Sequence, residues 1–411
     1  MSPFLQLAIA LAVIITVAKL GGYLSYRLGQ PSVLGELFVG IILGPSVINF
    51  LHLPFFTDEH LPELIHELAE IGVLLLMFIA GLELHIADLA KSGRVSVLAG
   101  VLGVVFPLIL GAGLGIAFSM PLDAAIFVGL ILAATSVSIS AQTLIELKVL
   151  RSRVGTGLLG AAVFDDILVV LGLSIFVALI QPGAENGWLS ILSITLRMLL
   201  FLVFAIVIGV WLLPRLSRRI SYLPVSQGLI AFTVVMILIY GWAAEAFGNM
   251  AAITGAFLVG LVLSRSPVKE RIESGISALA YGIFVPVFFI NIGLSTNARE
   301  LTGEIFFFLV AMTLVAVVGK ILGAGLGASL SGFTRRESLQ LGVGMMSRGE
   351  VGLIVASVGI SQGLIRQDIF SAVVGVVIIT TLLTPVMLRA LFHKSQSKKP
   401  KVKEVPEGDS S

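Results

Sequence analysis

The chain has 411 residues, 57% hydrophobic and only 12% charged, with a mean hydropathy of +1.07; no soluble domain of this length is so apolar, so it is a polytopic membrane protein. A formal net charge of +2 leaves no electrostatic footprint for nucleic acid, which is not an expected partner. The lack of cysteine excludes disulfides, thiol catalysis and cysteine metal sites.

Windows of about 20 apolar residues predict thirteen spans: 3–27, 31–50, 65–86, 93–118, 123–147, 153–180, 188–214, 224–247, 249–264, 277–295, 302–329, 338–362 and 367–392. The first begins MSPFLQLAIA, with no cationic leader region and too long an apolar run for a signal peptide, so it reads as a retained span. The polar, Pro-interrupted end, 393–411, reads as a disordered tail. Twenty of the 26 Lys and Arg residues fall in alternate loops and at the C-terminal end, against two, Arg299 and Arg366, in the other loops. Positive charge stays inside, which puts the N-terminus outside and the C-terminus in the cytoplasm. Lys19, Arg197, Lys320 and Arg348 lie within spans.

The chain repeats itself. ILGAGLG occurs at 109–115 and again at 321–327, and the same offset aligns Gly81 with Gly293 and Thr135 with Ser347. At an offset of 220, GELFVGIIL from Gly35 matches GAFLVGLVL from Gly255. Spans 4 and 11 cross the membrane in opposite senses, so spans 1–6 and 8–13 are expected to be inverted repeats, with span 7 joining them and a transport site near the midplane. The GAGLG runs lack the third glycine of a dinucleotide fingerprint and lie inside spans; helix packing accounts for them.

Span 6 carries the decisive chemistry. Its GAAVFDDILVVLG run sets Asp165 beside Asp166 in lipid-compatible sequence, where a carboxylate costs roughly 2.5–3.5 kcal/mol. Neighbours on a helix point about 100° apart, so the two carboxylates have different surroundings. Span 5 packs Thr135, Ser136, Ser138 and Ser140 into six residues, and span 12 has MMSRGEVG at the repeat-related place. Both stretches are expected to break their helices, exposing carbonyls and half-helix ends that can coordinate a cation. Arg348 and Glu350 are expected to balance charge there. Lys320, deep in span 11 with no acid near it in sequence, needs a partner from another helix, Asp165 or Asp166. Glu36 can guide cations or pair structurally. The five histidines show no ligand spacing, so no structural metal or cofactor is expected.

Together FDDILVV, ATSVSISAQTLIELK, LFVGIILGP, FIAGLE, Lys320 and SRGEVGLIV span almost the whole chain. With them the chain resembles the bacterial cation:proton antiporter-2 family, nearest its sodium/proton members with an Asp-Asp pair. The resemblance implies an all-α fold of about thirteen transmembrane helices in two inverted repeats with crossed broken helices. It implies Asp166 as the carrier of Na⁺ and protons, with Asp165 paired to Lys320 when the cation is absent. It implies a core transport domain of 93–180 and 302–392 that moves against a dimer-forming scaffold of 1–92 and 181–301, the latter including the linker helix. Thr135 and Ser136 join the cation site, and a homodimer in the bacterial inner membrane is expected. Glutathione-gated potassium relatives usually carry Gln-Asp at the pair and a cytosolic nucleotide-binding domain; this sequence shows neither.

A carboxylate in a low-dielectric cavity beside another holds its proton more tightly than in water, so protons and cations compete for it. That competition is exchange, by alternating access and electrogenic in the form expected here, with Na⁺, Li⁺ or K⁺ as the ion. Three alternatives are a cation channel, which would show a filter or charge rings, a sodium-coupled organic-solute symporter, and an intramembrane aspartyl protease. The protease needs two facing aspartates from different helices, whereas these diverge on one, so an enzyme is not expected.

Overall fold

The computed structural model describes residues 1–28, 30–83, 92–180, 187–294 and 303–396. Among them there is no strand, and they include sixteen α-helices. In order they are α1 (Pro3–Arg27), α2 (Ser32–Leu43), α3 (Leu61–Glu83), α4 (Gly93–Ala117), α5 (Leu122–Ala133), α6 (Val137–Glu146), α7 (Arg153–Ile180) and α8 (Gly187–Ile220). They continue as α9 (Gly228–Ala246), α10 (Ala252–Leu263), α11 (Lys269–Leu279), α12 (Val285–Leu294), α13 (Gly303–Leu330), α14 (Arg335–Gly344), α15 (Glu350–Ser361) and α16 (Gln367–Gln396). Ten stretches are long and apolar enough to cross a membrane, one of them joining α5 to α6 and another α11 to α12. Three further apolar helices among the described residues, α2, α10 and α15, are shorter. The described part of the tail continues α16 to Gln396; residues 397–411 lie outside the described residues.

Boundaries differ from expectation where local chemistry intervenes. The second window runs to 50, but α2 stops at Leu43 because Gly44 turns extended before Pro45, which disfavours helix in the residue ahead of it. Glu36 accordingly sits one turn into its helix. The tenth window starts at 277, but helix begins at Lys269, in the polar stretch KERIESG that a hydropathy window passes over. A π-turn at Ala280–Phe284 then links α11 to α12.

Small residues let the helices approach closely, and they do so twice over. Gly35 of α2 lies against Gly21 of α1, where a Cβ would come 2.0 Å from the Gly21 carbonyl oxygen. Gly255 of α10 lies against Tyr240 and Gly241 of α9, with a Cβ 2.1 Å from the Tyr240 oxygen. Each pair is the other displaced by the 220-residue offset. Likewise Gly293 of α12 meets Gly40 of α2, while Gly81 of α3 meets Phe257 and Leu261 of α10, beside Gly260. The two ILGAGLG runs pack as well: Gly111 and Gly115 of α4 onto Gly129 and Ala125 of α5, Gly323 and Gly327 of α13 onto Leu102 and Leu98 of α4. Such approaches favour van der Waals contact between helices where no hydrophobic effect acts. In the pairs at the 220-residue offset the sequence repeat is thus a repeat of packing, whereas the ILGAGLG runs meet different partners.

Contacts also join parts far apart in the chain at one end of the bundle. Glu146, the last residue of α6, accepts from the Ser32 amide and the Ser32 hydroxyl, both at 2.6 Å, and so caps the N-terminus of α2. Gln142 donates to Glu146 and accepts from the Tyr281 hydroxyl, and Lys19 donates to the Tyr281 carbonyl at 2.7 Å.

Candidate functional site

Two broken helices cross at the centre of the bundle. Between α5 and α6, residues 134–136 are non-helical, with Ser136 extended at φ −100°, ψ 115°. Between α14 and α15, residues 345–349 are non-helical, and Gly349 is extended. The Ser136 amide donates to the Ser347 carbonyl at 2.9 Å, and the Ser347 hydroxyl returns a bond to the Ser136 carbonyl at 2.5 Å. The Ser140 hydroxyl donates to the Gly344 carbonyl, also at 2.5 Å. Backbone groups freed by the breaks are therefore satisfied across the crossing, as buried membrane backbone requires. Gly349 makes the approach possible: a Cβ there would lie 2.6 Å from both Cβ and Oγ of Ser136.

The crossing brings together two helix N-termini, of α6 and α15, and two C-termini, of α5 and α14, with their opposite partial charges. Arg348, 2% exposed, serves the α14 end. Its guanidinium donates to the carbonyls of Met345 and Met346 and, at 3.0 Å, to that of Ala316 on α13. Thr380 of α16 accepts from the Arg348 amide and Thr381 donates to its carbonyl, so α16 fixes the break from outside. In the structure Arg348 caps backbone carbonyls. The Glu350 side chain lies outside the described residues. Thr135, at the C-terminal break of α5, is buried and its hydroxyl has no hydrogen-bond partner among the described residues.

The carboxylate pair lies on α7 with the divergence that helix geometry demands. Asp165 is fully buried in an ion pair with Lys320 of α13, itself fully buried, and one Asp165 oxygen has no hydrogen bond among the described residues. Gly100 of α4 makes room for α7, since a Cβ there would press on Ala161 and Phe164, while a Cβ on Gly103 would be in ordinary contact with the Lys320 ammonium at 3.7 Å. One turn before Lys320, Ala316 receives Arg348, so α13 ties the carboxylate pair to the broken helix. Asp166 faces the other way. It lines a cavity of about 10 Å³ with Val137 of α6, Met77 of α3 and Ile253, Thr254 and Phe257 of α10. A larger cavity of about 210 Å³ shares Ile253 and extends from Gly349 at the crossing past Asn291 to His66, Glu70 and Glu245. Space on this scale admits several waters.

The chain matches the model of the transmembrane sodium/hydrogen exchanger family over residues 12–394. It belongs to that family. It is 40% identical to the Na(+)/H(+)-K(+) antiporter GerN of Bacillus cereus, over 93% of this chain and 95% of that protein. It is 36% identical to the Na(+)/H(+) antiporter of Enterococcus hirae, over 93% of this chain and 97% of that one. Its fold is similar to that of the sodium proton antiporter MjNhaP1 of Methanocaldococcus jannaschii, with a TM-score of 0.69 at 17% identity, covering 96% of this chain and 99% of the other. This exchanger-family chain is a multi-pass membrane protein, and its family and relatives are transporters.

Of the residues singled out in the sequence, the structure unites Asp165 with Lys320 and Ser136 with the span 12 break, and it opens Asp166 onto a cavity. Sequence reasoning passed over Thr380, Thr381 and Thr254. The adjacent threonines of IITTLLTP were a usable signal, polar groups in an apolar span; a lone Thr254 in AAITGAFLVG was not.

Proposed function

We propose that this chain is a secondary active antiporter exchanging Na⁺, with Li⁺ or K⁺ as alternative ions, for protons by alternating access. The observation that carries this is the division between two adjacent carboxylates, Asp165 neutralised by a buried lysine and Asp166 turned to a cavity. The relatives named as antiporters support the same reading, and the GerN name supports K⁺ as an alternative ion.

In this reading Asp166 takes either a proton or a cation, and Thr135, Ser136 and the carbonyls of the breaks supply neutral oxygens. Lys320 and Arg348, with Glu350, hold the charge balance around the crossing. When a cation arrives, Asp165 turns from Lys320 toward the added charge. A buried ammonium that loses its partner is expensive and gives up its proton. Two protons then leave for each monovalent cation, and the cycle moves net charge. The core, 93–180 with 302–392, carries the site past the scaffold, 1–92 with 181–301; residues 393–411 form a cytoplasmic tail. The halves are inverted repeats, which supplies two packings of similar energy for the two facing states. The protein works as a homodimer in the bacterial inner membrane, N-terminus outside and C-terminus in the cytoplasm, and the cavity ending at His66, Glu70 and Glu245 is its outer approach.

The test is dye-reported proton movement in proteoliposomes on addition of Na⁺, Li⁺ or K⁺, wild type beside Asp166→Asn. Cation-driven proton movement that the substitution abolishes supports the proposal; movement that survives it places the carrier elsewhere.

A further inference from the structure

The cavity at Asp166 is bounded by two groups of helices that are distant in the chain: α6 and α7 on one side, α3 and α10 on the other. Of its nine described lining residues, two have polar side chains, Asp166 and Thr254. The others, Met77, Val137 and Phe257 among them, offer carbon. Thr254 is 3% exposed and stands in the first turn of α10, its amide bonded to the Ala251 carbonyl at 2.9 Å, so the backbone around it is fixed. At about 10 Å³ the cavity has room for a single species the size of one water. On the α3 and α10 wall, opposite the carboxylate, the side-chain oxygen that a dehydrated monovalent cation can meet among the described residues is that of Thr254.

We propose that Thr254 is a specificity-determining ligand, its hydroxyl oxygen completing the coordination of a dehydrated alkali cation held by Asp166. This rests on the reading of Asp166 as the carrier and adds a residue from the opposite side of the cavity. Two consequences follow. A hydroxyl is a hard oxygen donor suited to Na⁺ or Li⁺, and the Thr254 methyl narrows the space, so larger K⁺ is disfavoured. Because α10 belongs to the scaffold, the cation parts from Thr254 when the core moves, so this ligand acts on the ion only while the site faces α10.

The experiment uses the full chain in proteoliposomes, with half-maximal concentrations of Na⁺, Li⁺ and K⁺ measured for wild type, Thr254→Val and Thr254→Ser. Valine keeps the volume and removes the oxygen; serine keeps the oxygen and removes the methyl. The half-maximal Na⁺ concentration should rise about tenfold in Thr254→Val, the effect of one lost polar contact. It should stay within about twofold in Thr254→Ser, whose K⁺ value should fall relative to Na⁺. A purely packing role gives the reverse order, with serine the worse variant, and overturns the proposal. Unchanged titrations in Thr254→Val overturn it as well. Should Thr254→Val transport too weakly to titrate, the Na⁺-induced rise in melting temperature of the detergent-purified protein reports binding without transport; it should need about tenfold more Na⁺, and a wild-type response overturns the proposal. Asp166→Asn is run alongside. If it abolishes exchange while Thr254→Val behaves as wild type, only Thr254 is misassigned; if it still exchanges, both readings fall.

Discussion

Asp165 and Asp166 are chemically identical and consecutive, so their different roles come only from what each side chain meets. Asp165 meets Lys320 inside the protein, and both are fully buried. Removing one member of such a pair strands the other charge, at about 3–5 kcal/mol. Asp165→Asn should therefore lower the melting temperature of the purified protein markedly, whereas Asp166→Asn, at a cavity wall, should change it far less. Lys320→Gln makes a prediction of a different kind: the surviving exchange should be slower or electroneutral. Currents on a solid-supported membrane measure it, and a Gln variant as electrogenic as wild type returns Lys320 to a structural ion pair. The aspartates were legible in the sequence because charge in an apolar helix is conspicuous. Which of them faces Lys320 was not, since that depends on the rotation of α7 against α13, to which the close approach of Phe164 to Gly100 of α4 contributes. Replacing Thr135, Ser136 and Ser138 together by Ala should raise the half-maximal cation concentration; an unchanged value leaves the cluster as packing.

At the level of elements, the crossing depends on close approach more than on any single hydrogen bond. Gly349→Ala would place a methyl group 2.6 Å from Ser136, and the extended segments would have to part, breaking the bonds between Ser136 and Ser347. Overpacking of this kind costs about 1–3 kcal/mol, so the variant should melt lower and lose most exchange activity; wild-type activity would show that the crossing can open without penalty. Glu146→Ala should destabilise by about 1 kcal/mol, since it removes the carboxylate that caps α2, and thermal melting reports it. The breaks were readable because hydroxyls and glycines cluster at repeat-related positions. The cap was hidden: Glu146 and Ser32 are 114 residues apart, and only the folded chain joins them. The end of α2 was readable from Gly44 and Pro45, yet a hydropathy window averages over such a stop.

For the whole molecule, composition and hydropathy sufficed for the class, and repeated glycines sufficed for much of the architecture, because in a membrane the closeness of helices is written in small residues. The pairs Gly21–Gly35 and Gly241–Gly255 are the clearest case, equivalent contacts in two halves of one chain. Cavities were not legible at all. They arise where helices fail to meet, and their shape follows from the packing of residues as unremarkable in sequence as Ile253 and Phe257. The central claim is that one carboxylate, Asp166, alternately carries a cation and a proton. Its most direct test is cation-driven proton movement in proteoliposomes, wild type against Asp166→Asn, with the variant's melting temperature recorded to show that it is folded. The account predicts exchange with Na⁺ in the wild type and none in a variant of unchanged stability; a folded variant that still exchanges cations for protons would contradict it.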